Sequence, residues 1–208
     1  MGNTVFTIGH STHTQERFVA LLRQHRITAV CDVRSAPYSR VNPQFNREGL
    51  KEALNLVGIA YVFLGKELGA RSNDLTCYVH GKVQYDRLAS TGLFQDGLER
   101  VREGAKQYTV ALMCAEKEPL DCHRTILVAR HLATLGFAIQ HIHTDGSLEA
   151  HSDALNRLMR MLKLPPQDMF RSQEDIVSDA YRRQAERIAY EASPLEPSDQ
   201  EDVTGAAG

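Results

Sequence analysis

The chain has 208 residues, with 24 Lys/Arg against 26 Asp/Glu and 42% apolar residues. That is enough for one sizeable core plus an extension. A net charge of −2 excludes a strongly basic nucleic-acid binder, and apolar runs of only strand length exclude a transmembrane helix. Four cysteines are too few for a disulfide scaffold, and no basic region precedes an apolar leader. A cytoplasmic location with reduced thiols and no membrane partner is therefore expected. Charge is unevenly spread. Residues 1–75 carry nine basic and six acidic side chains, while residues 164–208 carry four and ten. The acidic end masks a mildly basic body that can meet a phosphate-bearing ligand.

In chain order, Thr4–Ile8 reads as a short strand ending at Gly9-His10-Ser11. Thr12 or Thr14 can cap a helix through about His25, with Phe18, Leu21 and Leu22 inward. Ile27–Val33 is a second strand ending among Asp32, Arg34 and Ser35. A loop rich in donors follows, with Tyr38, Ser39, Arg40, Asn42 and Gln44. Asn46 caps a helix through Val57, closed by Gly58. Ile59–Leu64 is a third strand, and 68–74 is a loop. Residues 84–104 are helical in two pieces, broken near Ser90-Thr-Gly92.

The apolar run Tyr108–Met113 is a fourth strand that delivers Cys114 and Glu116 to its end. After a proline turn, Asp121 stands where a helix N-cap belongs, and a helix from Cys122 runs to Leu135. Phe137–Ile142 is the fifth strand, and helical periodicity resumes over Leu148–Leu162. Pro165-Pro166 breaks it, and Gln173–Glu191 is an amphipathic helix with a thin apolar face. The domains are then an α/β unit over 1–163, a helical extension over 164–192 and an acidic tail over 193–208 without regular structure.

Five strands alternating with helices define an α/β fold: a mainly parallel five-stranded sheet with helices on both faces and a C-terminal helical extension. Parallel strands bring their C-terminal ends to one edge, where ligands bind in open sheets. That edge collects His10, Asp32, Arg34, Gly65, Cys114, Glu116 and His143.

The chemistry at that edge can be read residue by residue. Cys122, His123 and Arg124 fall in the first turn of a helix, where amide donors and the helix dipole favour anions and lower a thiol's pKa. Arg34, Arg40 and Arg124 can hold an anion, with Ser11 and Ser39 as further substrate-binding groups. Asp32 and Glu116 are candidate acid/base carboxylates, with His10 or His123 assisting and Cys122 as an alternative nucleophile. Each has a plainer reading: Asp32 can brace Arg34, Arg124 can pair with Glu116 or Asp121, and the cysteines can be core residues. Cys114, Cys122, His10 and His143 can in principle supply a zinc set. Their spacing matches no Cys-x-x-Cys pattern, so no metal is assigned. No Walker loop, dinucleotide fingerprint, Gly-x-Ser-x-Gly elbow or zinc-deaminase signature occurs, and no cofactor is expected.

Several spaced motifs carry a resemblance. They are Thr7-Ile-Gly-His-Ser11, Asp32-Val-Arg-Ser-x-Pro-x-Ser-Arg40, Leu64-Gly65, Leu68-Gly69 and Met113-Cys-Ala-Glu-Lys-x-Pro-x-x-Cys-His-Arg124. Over about residues 4–145 the chain resembles the domain-of-unknown-function 488 family. The resemblance implies a cytoplasmic α/β domain and no assigned reaction. Ala70 departs from a second glycine expected after Gly69. The resemblance emphasises His10, Ser11, Asp32, Arg34, Ser39, Arg40, Glu116, Cys122, His123 and Arg124.

The expectation is an enzyme that acts on a phosphate-bearing nucleotide or nucleic-acid substrate by hydrolytic or transfer chemistry, an N-glycosidic bond being one candidate. Tyr38 and Phe45 are available to stack on a base. The alternatives are a non-catalytic nucleotide or anion module and a Cys/His metal protein. A homodimer is compatible with these features.

Overall fold

The computed structural model describes residues 4–165 and 167–192. The 193–208 tail lies outside the described residues. The elements are β1 (Thr4–Gly9), α1 (Gln15–Gln24), β2 (Ala29–Asp32), α2 (Arg47–Leu56), β3 (Ala60–Phe63), α3 (Gly65–Leu68), a hairpin of β4 (Tyr78–Val79) and β5 (Lys82–Val83), α4 (Tyr85–Ala89) and α5 (Gly92–Gly104). They continue with β6 (Val110–Cys114), six residues of π-helical winding (Arg124–Ala129) running into α6 (Arg130–Thr134), β7 (Ala138–Ile142), β8 (Leu148–Ala150), α7 (His151–Met161) and α8 (Gln173–Ile188). The main sheet runs β3-β2-β6-β1-β7-β8. β1, β2, β3, β6 and β7 pair in parallel, and β8 is antiparallel to β7.

Strand alternation builds two cores. Cys31 and Leu112 point to one face, with Phe94, Leu98, Ile126, Leu132, Leu158 and Ile176. Val30, Ala111 and Met113 point to the other, with Phe18 and Leu21 of α1 and Leu50 and Leu54 of α2. The connection leaving β1 therefore crosses one face, and the helix that follows β6 covers the opposite face. β1 and β6 are hydrogen-bonded neighbours, so their outgoing chains part at the C-terminal edge. That divergence is a topological switch point, where open α/β sheets form a crevice.

One expected boundary shifts. Residues 148–150, anticipated as helix, form the sixth strand. An Asp145-Gly146 turn reverses the chain, with Gly146 at φ +96° and the amide of His143 donating to Ser147 O at 2.9 Å. Asp-Gly is a strong hairpin signal, but three residues are too few for alternation to show.

The C-terminal extension packs on its own domain. Gln184 Nε2 in α8 donates to Leu120 O at 2.6 Å, and Arg187 bridges Asp121 at 2.6 Å. Beyond α8, Val83 N donates to Tyr190 O and Ala192 N to Gly81 O. α8 is also tied to the sheet by a buried hydrogen-bonded chain. Thr7 Oγ1 meets His141 Nδ1 at 2.8 Å, His141 Nε2 meets His151 Nδ1 at 3.0 Å, and His151 Nε2 meets the Tyr181 hydroxyl at 2.8 Å.

Burial, and for His141 the neighbouring His151, disfavours the charged imidazole. It pushes His141 down to about 2 and His151 to about 4. Both folded-state values lie below the unfolded one, so the unfolded chain binds more protons once pH falls below about 6.5. Stability is full above that pH and declines below it, the His151 share until about pH 4 and the His141 share until about pH 2. Urea unfolding at pH 7 and pH 5 should differ by about 2 kcal/mol for each of the two histidines. Equal midpoints at the two pH values would contradict neutral, buried His141 and His151.

Candidate active site

The site begins at the end of β6. Strand pairing carries Cys114 to the sheet edge, where His10 N donates to Cys114 O at 2.8 Å and Ser11 N to Ala115 O at 2.9 Å. The chain then folds back through a 3₁₀ turn at Pro119–Asp121 and returns Cys122 beside Cys114. Gly9 permits the close approach of this turn. A Cβ there would stand 1.9 Å from Glu116 O and 3.3 Å from Arg124 Nη2.

The helix start differs from expectation. Cys122 is extended at φ −134°, ψ 138°, and helical dihedrals begin at His123. The amides of Thr125 and Ile126 donate to Cys122 O at 3.1 Å, and the amide of Arg124 donates to Cys122 Sγ at 3.4 Å. Cys122 takes the capping role expected of Asp121, and Asp121 instead pairs with Arg187. The amide donors expected to hold an outside anion are engaged by Cys122 itself.

Four side chains converge here. Cys122 Sγ lies within hydrogen-bonding distance of Glu116 Oε2, at 2.8 Å. His123 Nδ1 lies 3.7 Å from Cys114 Sγ and 3.9 Å from Cys122 Sγ, and His123 Nε2 meets Val33 O at 2.9 Å. Donor atoms of Cys114, Glu116, Cys122 and His123 all lie within 4.8 Å of one another, a set of types that can ligate a metal. Cys114, Cys122 and His123 are buried, whereas Glu116 keeps one side exposed.

Burial alone would raise the Cys122 thiol, but the hydrogen bond with Cys114 and the charges of Arg124 and His123 outweigh it and hold it well below the ordinary thiol range. Burial and the Cys122 bond push Cys114 well up. Burial, then the Cys122 charge, raises the Glu116 carboxyl. Burial would lower His123, but the bond to Cys122 and its charge raise it.

The second cluster surrounds Arg34. Its Nε and Nη2 donate to both oxygens of Asp32 at 2.9 and 2.6 Å, Nη2 also donates to Phe45 O at 2.9 Å, and Nη1 donates to His10 Nε2 at 3.2 Å. His10 Nδ1 bonds Ser11 O at 2.9 Å, so the proton sits on Nδ1 and Nε2 accepts. Burial, together with Arg34, lowers His10 to about 4. The His10 ring stacks on Phe45 with centroids 4.3 Å apart, and the Tyr61 hydroxyl donates to Asp32 at 2.7 Å. Asp32 is wholly buried. Of the five guanidinium donors, one Nη1–H of Arg34 is left by these contacts.

A cleft of about 320 Å³ joins the two clusters. Cys114, Glu116 and His123 form its floor, with Arg34, Ser35 and Asp121 beside them. Arg71, Tyr85 and Tyr190 close it, and the Arg71 guanidinium lies 4.1 Å over the Tyr190 ring. Of the residues singled out from sequence, Arg34, Cys114, Glu116 and His123 line this cleft. Asp32 and His10 lie behind Arg34, and Cys122 lies beneath Glu116. Arg124 is wholly buried, with Nη1 donating to Glu116 O at 2.7 Å. Ser39 braces its own loop by accepting from the amides of Val41 and Asn42. Ser11, Ser39 and the exposed Arg40 are not among the residues lining the cleft. His143 pairs with Glu149 at 3.1 Å.

Sequence reading did not single out Arg71, Tyr85 or Tyr190. Arg71 follows the glycine-bearing 65–69 segment, which was its only local signal. Tyr190 comes from the extension, and no short-range pattern ties it to the sheet edge.

Fold and site together define a doubly wound α/β domain with a cysteine–histidine–carboxylate centre at its switch point. A model of the family described as domain of unknown function DUF488 matches residues 14–131, more than half of the chain, and the chain belongs to that family. No curated protein and no solved structure gives a significant match.

The Arg34 cluster yields a stability prediction. Asp32→Asn removes the counter-charge of a buried guanidinium and should lower the unfolding free energy by about 3–5 kcal/mol. Arg40→Ala, at an exposed position, should change it by less than about 0.5 kcal/mol. A loss under about 1 kcal/mol in Asp32→Asn would show that Asp32 does not hold Arg34 in place.

Proposed function

We propose that the protein is an enzyme of the hydrolytic or group-transfer class acting on a phosphate-bearing nucleotide or nucleic-acid component in the sheet-edge cleft. The observation that carries this reading is Glu116 lining the cleft 2.8 Å from the Cys122 thiol, a carboxyl raised by partial desolvation and by the adjacent Cys122. A carboxyl held above the ordinary carboxylate range is suited to give and take a proton in one cycle, as an acid/base residue must.

Glu116 is therefore the acid/base residue of this reading. Asp32, locked between Arg34 and Tyr61, positions Arg34. Substrate anions are met by the remaining Nη1–H of Arg34 and by the exposed Arg71. Tyr190, stacked under Arg71, and Tyr85 supply the apolar wall that a planar base requires. The cleft volume lies at the small end of ligand pockets, which suits a single nucleotide rather than a duplex.

Thermal-shift screening over mononucleotides, modified bases and short oligonucleotides tests the reading, because a ligand present at about 100 times its Kd stabilises the fold by about 2.7 kcal/mol. A phosphate-bearing compound should raise Tm. Arg71→Ala should weaken that ligand by about 1.5–3 kcal/mol, the worth of a hydrogen bond to a charged group. Glu116→Gln should keep binding and lose turnover of the same ligand. No stabilisation by any phosphate-bearing compound, or full turnover in Glu116→Gln, would overturn the proposal.

A further inference from the structure

The geometry points to a zinc site: Cys114, Cys122 and His123 as three fixed ligands, with Glu116 as a displaceable fourth. In a tetrahedral zinc site, Zn–S near 2.3 Å and Zn–N near 2.0–2.1 Å place neighbouring donor atoms about 3.3–3.8 Å apart. His123 Nδ1 already stands 3.7 Å from Cys114 Sγ and 3.9 Å from Cys122 Sγ. The contact of Cys122 Sγ with Glu116 Oε2, at 2.8 Å, must widen, and Glu116 is the exposed member of a set whose donor atoms all lie within 4.8 Å of one another.

The outer contacts are those that a metal ligand needs. His123 Nε2 faces Val33 O at 2.9 Å. A carbonyl only accepts, so a ring proton is on Nε2, and Nδ1 faces the two sulfurs, where an ion replaces its proton and takes its lone pair. The amide of Arg124 points at Cys122 Sγ, where it supports a thiolate. The backbone holds the ligands apart from any ion: Cys114 ends a central strand with its carbonyl taken by His10 N, and Cys122 O is taken by Thr125 N and Ile126 N.

Soft sulfur and imidazole donors select zinc over magnesium or calcium. This ligand set is not the one the sequence suggested. His10 is held by Arg34 and Ser11 O, and His143 by Glu149, so neither reaches the cysteines. Because Cys114, Glu116 and His123 line the cleft, an ion there has an open side and can polarise a phosphoryl or acyl oxygen. Binding of the ion is independent of the enzymatic reading; its use in the cleft rests on that reading.

Metal analysis of the full chain, purified under reducing conditions without chelators or metal-affinity resin, tests the inference. About one zinc per chain is expected. Cobalt(II) in its place should give the intense d–d bands of a tetrahedral ion and thiolate-to-cobalt charge transfer. Cys114→Ser and Cys122→Ser should each retain less than about a tenth of the wild-type metal. Cys31→Ser and Cys77→Ser should retain it, and Glu116→Gln should keep the ion with an altered cobalt spectrum.

Wild-type protein that carries no zinc and gives no cobalt bands would overturn the site, as would unchanged metal in Cys114→Ser and Cys122→Ser. A chain two hydrogens lighter, with Cys114 and Cys122 no longer titratable, would make them a redox pair and overturn it equally. Should a cysteine variant fail to fold by circular dichroism, the wild-type zinc content and cobalt spectrum decide. Zinc without any nucleotide binding removes the enzymatic reading alone; Arg71-dependent binding by a zinc-free protein removes the metal alone.

Discussion

A buried guanidinium holds the turn after β6 closed, and the rest of the site depends on it. Arg124 has no solvent exposure and is the largest wholly buried side chain among the described residues. Its Nη1 donates to Glu116 O at 2.7 Å, from a helix start that lies eight residues further on. That bond folds the 115–121 segment back, so the Glu116 side chain meets the Cys122 thiol. Gly9 on the neighbouring strand is the other half of the constraint. Any side chain there would strike the same carbonyl and the same guanidinium. The Gly9-His10 and Cys122-His123-Arg124 motifs are therefore two sides of one packing contact. Burying a cation requires compensating partners; the carbonyls of Glu116 and Lys117 take Nη1 and Nη2 and the lowered Cys122 thiol lies near, while Nε is left without a partner.

The second support lies across the crevice. Asp32, His10, Tyr61 and Phe45 O together fix Arg34, so that one wall of the cleft is rigid before any ligand arrives. Preorganisation of this kind reduces the ordering cost of binding. The opposite wall is supplied by the extension. Gln184 and Arg187 hold the 119–121 turn, and Tyr190 reaches Arg71. α8 thus carries one wall of the cleft, which explains why a helix with a thin apolar face stays docked: polar anchors and the His141–His151–Tyr181 chain do much of the holding.

The sheet, its edge and the Cys114–Arg124 turn were legible in the sequence, because apolar strand runs and strand-end polar residues are local signals. The partners of those residues were not. Asp32 as a catalytic base and Asp32 as the counter-ion of Arg34 use identical residues at identical spacing; only burial and the Tyr61 contact separate them. Arg124 read as an anion-binding fork because sequence cannot show that its guanidinium turns inward to Glu116 O. Cys122 displaced Asp121 as the cap because the 3₁₀ turn ends one residue later than propensity suggests, and helix ends are set by such short-range geometry. Arg71 and Tyr190 are more than 100 residues apart, so their stacking is purely tertiary. β8 was hidden by its length of three residues.

The measurement that bears most directly on the convergence of the β6 end, the turn and the helix start is zinc K-edge absorption fine structure of the full chain. The account predicts an ion with two sulfurs at about 2.3 Å and a nitrogen and an oxygen at about 2.0 Å. A shell of nitrogen and oxygen only, or one containing a single sulfur, would contradict it.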